Sequence, residues 1–102
     1  MPVSYSRWDR RDAADRNAMG AAALDLCRAM RAMDGVDDAR FYWSGTDSLV
    51  LLTHGGAGTL SGPPSPQAAA ANFALADLAH QTAAETWFDP SQGMEMYNRA
   101  TG

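Results

Sequence analysis

The chain has 102 residues, 46% of them hydrophobic, a formal net charge of −4 and a sequence pI near 4.8. This is enough chain for one domain, residues 1–102, with a modest core, and its acidic balance argues against binding a nucleic-acid phosphate backbone. The single cysteine, Cys27, excludes an internal disulfide and a Cys-rich zinc site, and the absence of lysine excludes a Schiff base or a lysine general base.

Val3, Tyr5 and Arg7 alternate with Ser4, Ser6 and Trp8, the period of a strand. A helix is expected over Ala13–Met33, with Asp12 as N-cap and Asp34-Gly35 as its stop. Ala18, Met19, Ala22, Ala23, Leu26, Cys27, Met30 and Met33 recur at helical spacing and form one core-facing stripe.

Residues 40–58 hold the chain's only run of aromatics and its only run of strand-favouring aliphatics. Phe41, Tyr42 and Trp43, then Leu49 to Leu52, flank the turn residues Ser44-Gly45-Thr46-Asp47, the pattern of a β-hairpin. Phe41 and Trp43 fall on one face, with Arg40, Tyr42 and Ser44 on the other. In the second strand Leu49, Leu51 and Thr53 oppose Val50, Leu52 and His54. Both faces are largely apolar, so this strand is expected at the centre of a sheet.

The segment Gly55 to Pro64 reads as an irregular connection. Ser65 and Pro66 then mark a helix N-cap and first turn, and a helix is expected from about Gln67 to Glu85. Phe73, Ala76, His80, Ala84 and Trp87 would lie on one side of it, with Ala71, Leu75, Leu78 and Thr82 opposite. Two apolar stripes imply a helix covered on both sides, which is a sequence argument for an oligomer. Asp89 to Gly93 is a turn or loop, and Met94 to Tyr97 alternate once, as a short last strand does, while four residues are equally compatible with a helical tail.

His54-Gly55-Gly56 is similar to an esterase oxyanion loop, but Gly58-Thr59-Leu60-Ser61-Gly62 lacks the spacing of a nucleophile elbow. No Gly-Lys-Ser/Thr follows the glycines, so they are not a P-loop. His54 and His80, the only imidazoles, show no H-x-x-x-H or E-x-x-H spacing, and a metal site would need carboxylates such as Asp77 or Glu85 to complete it. They are the candidates for pocket acid/base work. Trp8, Tyr42, Trp43, Phe73 and Trp87 are the candidates for an aromatic-lined pocket between sheet and helices. No stretch reaches the length of a membrane span, and the N-terminus lacks a basic region followed by an apolar one. The expected location is the cytoplasm, with no membrane or nucleic-acid partner.

The order β-α-β-β-α-β is the ferredoxin-like arrangement of an α+β fold, with two helices on one face of the sheet. With a long first helix ending in Met33-Asp34-Gly35-Val36, then Ala39-Arg40-Phe41-Tyr42-Trp43 and an aliphatic strand ending in Thr53-His54, the chain resembles the dimeric α+β barrel superfamily. That resemblance implies a homodimer with a ligand cavity between each sheet and its helices. It implies a small-molecule binder of the cofactor-independent monooxygenase or isomerase kind, acting on an aromatic or polyketide-like ligand.

The haem-degrading branch of that group carries an axial histidine on its second helix, where this reading puts His80. It also expects an Asn on the first strand, and the first Asn here is Asn17. The cofactor expectation is therefore none, with haem on His80 as an alternative. The remaining alternative is a non-catalytic dimerisation module with structural histidines.

Overall fold

The computed structural model describes residues 2–101. Strands β2 (Val36–Trp43) and β3 (Ser48–Gly55) form the expected antiparallel hairpin, with Trp43 opposite Leu49 and Phe41 opposite Leu51. Ser44 N donates to Ser48 O at 2.8 Å to close the turn, and Gly45 sits at φ +82°, a conformation that glycine adopts without steric cost.

Strand β1 (Val3–Arg10) pairs antiparallel with β3 on one side and with β4 (Ala79–Trp87) on the other, so the sheet runs β2-β3-β1-β4. Helices α1 (Arg16–Arg31) and α3 (Pro66–Leu78) pack on each other over one face. This is the ferredoxin-like arrangement, with β3 central as its two apolar faces demand. A short helix α2 (Ala57–Ser61) occupies part of the glycine-rich connection. A last helix, α4 (Pro90–Thr101), follows the sheet.

The core lies between α1, α3 and one sheet face. Met19, Ala22, Ala23, Leu26 and Cys27 of α1 meet Trp8, Ala39, Leu49, Leu51, Leu75 and Ala79. The stripe read from the sequence is the face that α1 buries. Its start is corrected by three residues. The N-cap is Asp15, whose carboxylate accepts from Ala18 N at 3.0 Å, while Ala13 takes a left-handed φ of 63° and ends any helix reading that begins at Asp12.

Two larger corrections fall in the C-terminal third. Ser65 caps α3 as expected, accepting from Ala68 N, but α3 ends at Leu78 and residues 79–87 are the fourth strand. Alanine-rich local preference favours a helix there, yet it is a weak prior. The outer edge of β1 offers a full row of backbone donors and acceptors, and pairing residues 79–87 there satisfies both strands. The two apolar stripes of the supposed long helix are thus an artefact of reading strand residues at helical spacing, and that sequence argument for an oligomer falls. Of the two readings open for Met94 to Tyr97, the helical tail is the one found, and the last strand of the sheet is residues 79–87 instead.

A bulge sets the faces of β4. Arg7 pairs with Ala83 but Trp8 pairs with Gln81, leaving Thr82 as the extra residue. Ala79 and Gln81 before the bulge, and Ala84 and Thr86 after it, therefore all face the helices. Ala83, Glu85 and Trp87 face the other way. Among the described residues no helix covers that other face. Val3, Tyr5, Arg7 and Asp9 lie on it from β1, with Asp38, Arg40 and Tyr42 from β2 and Val50, Leu52 and His54 from β3.

Candidate functional site

Helix α1 packs mainly on β2, and α3 leans on α1 while reaching β4 near Ala79. Little covers β1 and the second half of β4. The helix-facing side chains there are Ser4, Ser6, Ala84 and Thr86, too small to fill the space. A cavity of about 340 Å³ results, lined also by Trp8, Leu26, Met30, Leu51, Thr53, Asn72 and Gln81. That volume is within the range of small-molecule pockets, about 300–1,000 Å³.

The walls divide by chemistry. Leu26, Met30 and Leu51 make the apolar part. Trp8, buried, donates from Nε1 to Ser6 Oγ at 3.0 Å, which fixes the indole at the floor of the cavity. Around them stand neutral polar groups. The side chains of Ser4 and of the exposed Asn72, Gln81 and Thr86 have no hydrogen-bond partner among the described residues, so their donors and acceptors face solvent at the open rim, where a ligand can meet them.

Tyr5 and Glu85 also border the cavity, but strand alternation puts the phenol and the carboxylate on the far face. There Trp87 engages both: its ring stacks on Tyr5 at 4.8 Å between centroids, and its Nε1 donates to Glu85 Oε2 at 2.7 Å. The cavity can orient a carbonyl or a developing oxyanion through neutral donors. No imidazole or carboxylate projects into it from the described residues.

The candidate residues of the sequence reading are dispersed. Trp8 lines the cavity, and Phe73, 72% exposed, borders an adjoining groove that shares Leu26, Met30 and Asn72 with it. Trp43 is held at the far edge of the sheet. Its ring lies against Gly20, the Arg16 guanidinium sits 3.8 Å from its centroid, and Phe41 meets it edge-on. Tyr42, His54 and Trp87 are on the face away from the helices.

His80 is on that side too, on a strand rather than a helix. Arg11 donates from Nη1 to His80 Nε2 at 3.2 Å. Arginine has only donors, so Nε2 is the acceptor and its lone pair is engaged. His80 pairs with Asp9 and His54 with Val3, at opposite ends of β1, about 20 Å apart at strand rise. Within one chain the two histidines do not share a site. The donors present do not fit a haem held by His80 in this cavity, because the imidazole points away from it.

Serines on the helix-facing side of β1, beside Trp8, were the available sequence signal for the polar wall. Asn72, Gln81 and Thr86 gave none, since their placement depends on where α3 stops and where β4 bulges.

The fold is the ferredoxin-like α+β arrangement, with a cavity between its sheet and helices. No family model and no curated protein matches the chain, and the likeness is to solved structures. Rv0793 from Mycobacterium tuberculosis is 24% identical, with TM-score 0.70 over 86% of this chain and 94% of that one. A mutant of SnoaB, a cofactor-independent oxygenase from Streptomyces nogalater, is 8% identical, with TM-score 0.71 over 87% and 92%. A dimeric protein of ferredoxin-like fold from Bacteroides fragilis is 12% identical, with TM-score 0.54 over 84% and 94%.

Proposed function

We propose that the cavity between the sheet and helices α1 and α3 binds a small, planar, aromatic or polyketide-like molecule, and that the protein is a cofactor-independent monooxygenase acting on it. The observation that carries this reading is the pocket of about 340 Å³ with an apolar floor of Trp8, Leu26, Met30 and Leu51 and a set of neutral polar groups without partners in the chain. An apolar floor suits a fused-ring ligand, and Asn72 and Gln81 suit its carbonyl or phenol oxygens. The likeness in fold to a cofactor-independent oxygenase supports the reaction class by analogy alone.

The chemistry suits a cavity without a projecting acid or base. A ring methylene flanked by aromatic carbonyl systems loses a proton to water, and amide donors stabilise the resulting enolate. The carbanion gives its electron pair to dioxygen and forms a carbon-bound hydroperoxide. Loss of water then leaves a carbonyl, so one oxygen atom ends in the product and the other in water. Within this reading the protein is a homodimer joined through its uncovered sheet face, with no nucleic-acid or membrane partner.

The test uses 1,8-dihydroxyanthrone as probe, first without oxygen and then with it. Saturable binding at one probe per chain, weakened about tenfold in Asn72→Leu, followed by uptake of one dioxygen per probe, is the expected result. Binding without oxygen uptake removes the monooxygenase and leaves a binding protein. Absence of binding overturns the pocket.

A further inference from the structure

Helix α4 shows a division that the rest of the chain does not use. Wound at 100° per residue, Gly93, Met94, Met96, Tyr97 and Ala100 fall on one side with Pro90 and Thr101. Ser91, Gln92, Glu95, Asn98 and Arg99 fall on the other. Yet Met94, Met96 and Tyr97 are 58%, 45% and 62% exposed. The molecule measures 51 × 26 × 17 Å. A nine-residue strand of about 30 Å followed by a twelve-residue helix of about 18 Å, end to end, gives the long dimension. The helix therefore projects beyond the sheet as an arm, with Trp87 and Phe88, also exposed, at its root.

We infer that α4 is an exchanged arm whose apolar side packs on a second copy of this chain. The inference rests on the proposed pairing of uncovered sheet faces and adds the element that makes it stable. Four strands about 4.8 Å apart and about 27 Å long present a face of roughly 500 Å², so two stacked faces cover about 1,000 Å². Stable interfaces cover about 1,200–2,000 Å². Each α4, about 18 Å long and 10 Å wide, lying on the partner brings the total for two arms to roughly 1,700 Å². The sheet face alone falls short, and with the arms it reaches the ordinary size.

Charge favours a second copy over other occupants. On the sheet face Arg40 pairs with Asp38 at 2.6 Å and Arg7 with Asp9 at 3.4 Å, and the Glu85 carboxylate accepts from Trp87 Nε1, so each of these carboxylates keeps a partner when the face's own image covers it. On α4 the only ions, Glu95 and Arg99, lie 3.8 Å apart and cancel. An arm that bound an anionic lipid surface would need a basic polar side.

The test is sedimentation across concentration for the full chain, for Met94→Lys with Tyr97→Lys, and for Leu52→Glu on the sheet face. The expected result is a wild-type dimer whose dissociation constant rises at least 100-fold in the α4 double variant. Hydrogen exchange provides the control against misfolding: amides of residues 93–101 in wild type should gain protection as concentration rises through dimerisation. A dimer that is lost in Leu52→Glu but unchanged in the α4 variant, with α4 exchanging freely, overturns the arm and leaves the sheet-face pairing. A dimer lost only in the α4 variant upholds the arm and removes the sheet-face pairing. A monomeric wild type overturns both and assigns α4 to a different partner.

Discussion

At the scale of single residues, two positions are set by contacts that local sequence does not announce. Gly35 sits at φ +88°, and a Cβ there would lie 2.2 Å from Thr59 Oγ1, so both conformation and space require glycine. Gly35→Ala is expected to cost at least about 1 kcal/mol, read by urea unfolding, with Thr59→Ala relieving only the steric part. The second is Cys27, whose burial pushes the thiol up from 9.0, partly offset by Arg31 nearby. The unfolded chain then releases the proton first. Stability is complete below about pH 9 and falls as pH rises above it, and urea midpoints at pH 8, 9 and 10 should show a slope that Cys27→Ala lacks. Cys27 as a small buried core residue was legible from its place on the α1 stripe. The need for glycine at 35 was legible only as a helix stop, because Thr59 comes from a distant segment.

Among the elements, the strand at 79–87 carries the most information. Its edge position and its bulge decide which residues reach the cavity, and both depend on pairing with β1 rather than on its own composition. Deleting Thr82 should remove the bulge and keep Ala84 and Thr86 on the helix side, leaving the Tyr5–Trp87 stack and its near-ultraviolet dichroism in place. Deleting Glu85 should move Thr86 and Trp87 to the opposite faces, abolish that signal and lower Tm by far more. Equal loss in both variants would contradict the assigned register. The α1 stripe, the hairpin and the Ser65 cap were legible because each is fixed by spacing within one segment.

For the molecule as a whole, the unfilled space between sheet and helices is where stability and the proposed function oppose each other. Ala84 faces that space from β4. Ala84→Leu should fill part of it and stabilise by about 1 kcal/mol while weakening binding of the anthrone probe at least tenfold. Calorimetry on one preparation gives both numbers, and a stabilised variant that still binds fully would place the ligand elsewhere.

The sequence by itself determined the order of elements as far as the start of α3, the buried side of α1 and the two faces of the hairpin. Each of these follows from hydrophobic period and turn chemistry within one continuous stretch. The tertiary structure alone decided that α3 stops at Leu78, that β4 completes the sheet, and that His54 and His80 stand far apart on the face away from the cavity. The physical reason is that the unpaired edge of β1 outweighs the helix preference of an alanine-rich segment, and no periodicity within that segment encodes the edge.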